Sequence, residues 1–145
     1  MAHTYDLVLI HCVFSTKGRL PLIQEPGRLC ATLRAVARRS QINLRAIGGT
    51  ADHVHLLMDM PKTRTVADVM RELKANSSAR LRKSTPGFAW QDGYAAISVS
   101  PTAAEAVTRY IQKQQEHHRR SSFEEEYVAI LHKAGIEYDS KYVLD

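Results

Sequence analysis

The chain has 145 residues, 44% of them aliphatic or aromatic, and a formal charge of +5, the size and make-up of one globular domain with a single core. No apolar run approaches membrane-spanning length, and Met1-Ala2-His3-Thr4-Tyr5-Asp6 lacks the charged-then-apolar order of a secretory signal. Cys12 and Cys30 are too few for a disulfide framework and read as reduced thiols of a cytosolic protein.

The pI near 9.4 favours a polyanionic partner. The excess is uneven: residues 17–83 hold most of the positive charge, and acids gather at Glu124-Glu125-Glu126 and near the C-terminus. No linker, repeat or low-complexity stretch divides the chain, so residues 1–145 are expected to form one unit.

Residues 5–14 are rich in β-branched and aromatic side chains and predict a central strand, left by the polar, basic loop 15–19. His11 lies within that strand and could face the same side as the histidine pair of the third strand, but reads first as a core histidine with a backbone partner. Pro26 suits a first helical turn; Leu29, Leu33, Val36 and Ala37 follow at helical spacing, with Arg28, Arg34, Arg38 and Arg39 on the rest of the cylinder. Residues 42–47 form a second strand, and Gly48-Gly49 turns it into a third as a hairpin.

That third strand, within residues 48–61, carries His53 and His55. Alternate side chains on a strand share a face, so the two imidazoles point one way and Val54, Leu56 and Met58 the other. Such a pair serves either as a hydrogen-bonded part of the sheet or as a chelate, and the apolar flanks make a metal one economical partner for two buried rings. Asp59, on the face of His55, is a further ligand only for a zinc hydrolase and otherwise a polar strand end.

Thr65 with Asp68 three residues on predicts a helix start, and Val66, Val69, Met70, Leu73 and Leu81 make its apolar stripe. Arg71, Lys74, Ser78 and Arg82 recur on another face and suit phosphate contacts. Residues 84–87 stop the helix, residues 88–94 form a loop whose aromatics, Trp90 among them, pack in the core by default but could also stack a splayed base, and residues 95–99 are the fourth strand.

Residues 101–105 predict a capping box for the next helix, on which Tyr110 and Gln114 share a face. His117 and His118 are adjacent, diverge on a helix and chelate poorly; with Arg119 and Arg120 they end that helix in positive charge. Ser122 caps a last helix with Phe123, Tyr127, Ile130 and Leu131 inward and Gly135 at its end, and the tail 136–145 should latch on through Tyr138, Tyr142 and Leu144. The order β-α-β-β-α-β followed by helices predicts an α+β, ferredoxin-like (RRM-like) antiparallel sheet with helices on one face plus C-terminal helices.

Three stretches, Val13 to Lys17, Gly48 to Leu57 and Arg109 to Gln114, together resemble the HUH single-tyrosine transposases, the insertion-sequence-200-type and REP-associated tyrosine transposases. The resemblance extends over nearly the whole chain and departs at Ala51, where proline is common. It implies a metal-dependent enzyme that cleaves and rejoins single-stranded, hairpin-containing DNA. Tyr110 would be the catalytic nucleophile, on the C-terminal helices, and His53, His55 and Gln114 the ligands of Mg or Mn.

Lys17, Arg19, Arg71, Lys74, Arg82 and Trp90 are the DNA-binding candidates. The resemblance implies a homodimer in which the tyrosine helix of one subunit serves the histidines of the other, with monomers among REP-associated members, which the extension 119–145 resembles. It places the protein in the bacterial cytoplasm, on the nucleoid and off the membrane. The rival without chemistry is an RNA- or single-strand-binding module of the same fold.

Overall fold

The computed structural model describes residues 2–118 and 121–145; Arg119 and Arg120, which end the basic run His117–Arg120, lie outside the described residues. The strands are β1 (Leu9–Ser15), β2 (Asn43–Gly49), β3 (His53–Asp59) and β4 (Ala95–Val99). The helices are α1 (Pro26–Arg39), α2 (Val66–Leu81), α3 (Ala104–Gln112), α4 (Gln114–His117) and α5 (Phe123–Lys133).

The strands form an antiparallel sheet in the order β2-β3-β1-β4, the expected ferredoxin-like arrangement. The first strand is shorter than its composition suggests: residues 2–8 stay outside the ladder, Tyr5 is exposed, and Val8 contributes only a carbonyl to the Met60 amide.

Register pairs Val13 with His55 and Ser15 with His53, which puts these four on one face, and the strand alternation sends Cys12, Phe14, Val54 and Leu56 to the other. On one face Ile10, Cys12, Phe14, Val54, Leu56 and Met58 pack against Leu29, Leu33 and Val36 of α1 and Val69, Met70 and Leu73 of α2. Fully burying a side chain of this size contributes roughly 1.5–3 kcal/mol, and this layer is the main core.

Pro26 occupies the first turn of α1, where a missing N–H costs nothing. The hydroxyl of Thr65 accepts from the Asp68 amide, capping α2 as the sequence implies.

On the other face α3 lies over Leu9, Ala46 and Leu57 through Ile111, while Phe123 and Leu131 of α5 pack with Val13 and Ala95. The expected capping box at residues 101–105 does not form. Ser100 caps a 3-10 turn, Pro101–Ala103, and the Thr102 hydroxyl bonds to that serine instead.

Ser122 does cap α5, accepting from the Glu125 amide. The tail is held by Val143 and Leu144 against the α5 cluster, whereas Tyr138 and Tyr142 are exposed. Two phenols with polar tips lose less in water than two aliphatic side chains do.

Gly48 sets the approach of α3. A Cβ there would lie 1.9 Å from the carbonyl oxygen of Ile111, so only a residue without a side chain lets the last turn of α3 rest on β2.

Candidate active site

The second face of the sheet carries His11 of β1 and His53 and His55 of β3, all pointing toward α3, α4 and α5. His53 and His55 are fully buried, as is the Gln114 side chain. The backbone leaves helical geometry at Lys113, between α3 and α4, and Gln114 still reaches the histidines, with its Oε1 3.2 Å from His53 Nε2.

Each imidazole is oriented by a neighbour behind it. His53 Nδ1 lies 2.8 Å from an Asp52 carboxylate oxygen and 2.9 Å from the Thr50 hydroxyl, so Nδ1 donates and Nε2 faces the cluster. His55 Nδ1 is 2.9 Å from His11 Nε2. His11 thus has a side-chain partner rather than the expected backbone one, and it supports His55 from behind.

Two residues that sequence reasoning passed over complete the cluster. Glu126 of α5 is buried, with Oε1 2.9 Å from His55 Nε2, 3.4 Å from His53 Nε2 and 3.0 Å from His118 Nε2. Its other oxygen accepts the Tyr110 hydroxyl and lies 3.4 Å from His117 Nε2.

His118 caps the end of α4, where the chain leaves the helix, so its adjacency to His117 does not turn it away. One signal was available for Glu126: it falls at the third position after Phe123 and just before Tyr127, on the helix stripe that should be apolar.

The charges follow from this packing. Burial disfavours the charged form of His53, but the Asp52 and Glu126 carboxylates and the Gln114 amide oxygen outweigh it and push its pKa up to about 9. Burial lowers His55, only partly offset by its bond to Glu126. Burial, with the neighbouring His55, pushes His11 down to about 4.

For Glu126 burial works the other way, yet its bonds to His53 and His55 hold it well below the usual carboxylate range. Burial and the bond to the anionic Glu126 raise the Tyr110 phenol above its ordinary value.

One ligand atom from each of His53, His55, His118 and Glu126 lies within 4.8 Å of the others, and Gln114 Oε1 is 3.1 Å from His118 Nε2. Imidazole nitrogens with a carboxylate and an amide oxygen fit a divalent cation. Asp59, by contrast, turns to Asn43 and Arg45 at the strand end.

The basic candidates lie elsewhere. Arg71, Lys74 and Ser78 of α2 and Arg82 just past its end line a groove of about 440 Å³ with Trp90 and Tyr94 from residues 88–94. Lys17 and Arg19 belong to a 3-10 turn tied to that loop, the Lys17 amide donating to Ala89 and the Gly18 amide to the Gln91 side chain.

Arg71 is exposed beside Asp68, and Arg82 is exposed beside the Phe88 carbonyl. Lys74 donates to the carbonyls of Gln91, Asp92 and Gly93, which commits its ammonium to holding the loop. Trp90 is 7% exposed, its indole donating to Ser77 and its ring packed on Phe14 and Phe88. It therefore serves chiefly the core, at the floor of the groove.

A ferredoxin-like sheet with a histidine pair facing a tyrosine and a glutamine defines a class. The family model described as Transposase IS200 like matches residues 4–114, and the chain belongs to that family. It is similar to the ISDra2 transposase TnpA of Deinococcus radiodurans, 26% identical over a 90-residue alignment that covers 57% of this chain. That match spans 64% of the relative's length.

In fold it resembles a D. radiodurans protein assigned as a transposase, with a TM-score of 0.63 at 22% identity over 79% of this chain and 95% of the other. It also resembles a REP-associated tyrosine transposase solved bound to a REP hairpin, with a TM-score of 0.57 at 14% identity over 77% of this chain and 68% of that one. Among the described residues no helix is long and apolar enough to cross a membrane.

Proposed function

We propose that the protein is a single-tyrosine HUH transposase acting on single-stranded DNA, with Tyr110 as the nucleophile. The observation that carries this reading is that the Tyr110 hydroxyl and the His53 and His55 imidazoles meet, within one chain, on the two oxygens of one carboxylate. His53, His55 and Gln114 would hold Mg or Mn. When bound, the cation reduces the charge of a phosphodiester and makes its phosphorus more electrophilic.

The phenol oxygen forms a bond to phosphorus, the bond to the 3′ oxygen breaks, and the products are a free 3′-hydroxyl and a 5′-phosphotyrosine. A DNA hydroxyl reverses the step, and the bond energy kept in the covalent link removes any need for a nucleotide cofactor. Asp52, Thr50 and His11 keep the two imidazoles aimed at the same point throughout. The phenol, raised by burial and by Glu126, has to lose its proton before or during attack, so the resting geometry holds the nucleophile protonated.

The groove between α2 and residues 88–94 is proposed as a path for the DNA strand, with Arg71, Arg82, Lys17 and Arg19 on phosphates and Lys74 stabilising the loop beneath. It lies beyond the α1–α2 side of the sheet, so one hairpin-containing DNA would reach both faces. Cleavage would need only one chain, and a homodimer would bring two complete sites and two DNA ends together. Such a protein works in the bacterial cytoplasm, on the nucleoid, with residues 1–145 acting as one unit.

The test is incubation with labelled single-stranded oligonucleotides and Mg or Mn. A denaturation-resistant adduct is expected, absent in Tyr110→Phe while DNA binding survives. An adduct of undiminished yield in that variant rejects the assignment.

A further inference from the structure

The family match ends at residue 114, yet α5 lies beyond it and brings Glu126 into the middle of the site. Phe123, one turn before Glu126 on the same helix face, is buried and apolar, as is Leu131 further along the helix. A carboxylate at such a position is costly unless cations or donors surround it, and here imidazoles from His53, His55 and His118 all face Oε1. A hard divalent cation also binds an anionic oxygen more strongly than a neutral amide oxygen.

Gln114 and Glu126 both reach His53, but Glu126 alone of the two lies within bonding distance of His55 as well. The second oxygen, at the fixed separation of a carboxylate, receives the Tyr110 hydroxyl. Metal donors and nucleophile are thus joined through three atoms of one side chain.

We propose that Glu126, delivered by α5 from outside the family-matched residues, is an anionic ligand of the divalent cation through Oε1 and a positioning residue for Tyr110 through Oε2. This rests on the reading that His53 and His55 hold a cation, and it adds a carboxylate to the His53, His55 and Gln114 set. His118 then orients the carboxylate rather than replacing it. The extension is part of the chemistry and not an appended stabilising helix.

The experiment is calorimetric titration of the full-length protein with Mn²⁺, free of DNA, comparing wild type with Glu126→Gln, Glu126→Asp and His53→Ala, each checked for fold by circular dichroism. Glu126→Gln keeps the shape and removes the charge, and should weaken Mn²⁺ at least about tenfold, the loss that even an outer partner of a metal site produces. Glu126→Asp, which withdraws the charge by one methylene, should weaken it too, so one folded variant suffices. Wild-type affinity in either folded variant overturns the assignment.

At saturating Mn²⁺, Glu126→Gln should form the DNA adduct about tenfold more slowly or worse with unchanged DNA affinity, because a displaced nucleophile loses rate rather than binding. A wild-type rate there overturns the positioning role. His53→Ala separates the two levels: Mn²⁺ binding that survives it rejects the metal reading itself, whereas binding lost in His53→Ala but intact in Glu126→Gln rejects only Glu126.

Discussion

The two faces of the sheet are built from the same strands, both are covered by helices, and they differ in what they bury. The face under α1 and α2 is apolar from Ile10 to Met58 and keeps even Cys12 inert, its thiol pushed up to about 12 by burial. The face under α3, α4 and α5 buries three histidines, a glutamine and a glutamate. Among the described residues no buried side-chain nitrogen or oxygen lacks a partner, so the polar face is a closed network rather than a defect.

The first face supplies the larger apolar core, and the second, packed through Leu57 with Ile111 and Val13 with Phe123, also holds side chains that would disperse in water. A sheet with a single alternation can do both because each residue's neighbours in sequence belong to the opposite face.

The sharpest way to break this contrast is to change two residues of β3 that face opposite ways. His53→Ala should abolish adduct formation while the protein still unfolds cooperatively, as read by urea titration alongside the oligonucleotide assay. Leu56→Ala, on the opposite face and fully buried, should cost about 2–5 kcal/mol in unfolding free energy, with the adduct still forming wherever the protein remains folded. If Leu56→Ala abolished chemistry without loss of stability, the division of labour between the faces would be wrong.

Gly48→Ala tests the joint between the faces. The added methyl meets the Ile111 carbonyl, so α3 has to lift from β2. The expected cost is about 1–3 kcal/mol, the usual range for overpacking, with a slower adduct because Tyr110 rides on α3. A variant as stable and as fast as wild type would show that the close approach is dispensable.

The fold was legible because it rests on local periodicity. The composition of β1, the alternation in β3, the stripe of α2 and the caps at Thr65 and Ser122 each stand within a few residues of chain. The pairing of Tyr110 with His53 and His55 came from resemblance, since spacing alone cannot bring residue 110 to residue 53.

Glu126 was hidden because its function depends on contacts made across the fold, and in sequence it is the last of three acids at a helix start. For Trp90 the sequence left core packing and base stacking open, because an aromatic in a polar loop gives no sign of whether residues such as Phe14 and Phe88 will pack against it. Lys74 looked like its arginine neighbours on the same stripe, and only the loop carbonyls tell it apart.

A smaller effect sharpens the electrostatic side of the comparison. His53 has a folded pKa of about 9 against an ordinary 6.5, so the folded state binds a proton more tightly than the unfolded one. Its contribution to stability is complete below about pH 6.5, declines as pH rises, and is gone above about 9. In metal-free buffer, the difference in unfolding free energy between wild type and His53→Gln should therefore shrink between pH 6.5 and 9. A difference that grew over this interval would contradict the carboxylate and amide contacts assigned to this ring.

The smallest effect concerns the groove on the far side. Arg71 and Arg82 are exposed cations on one helix face, and each phosphate they neutralise releases counterions from the strand. Replacing either with alanine should reduce the slope of log affinity against log salt by about 0.7 for single-stranded DNA. Lys74→Ala should behave differently, because its ammonium is already bound to three carbonyls. It should lower stability by releasing the loop and leave the slope nearly unchanged. Equal slopes lost at all three positions would mean that Lys74 leaves its carbonyls when DNA arrives, and that the loop beneath the groove reorders on binding.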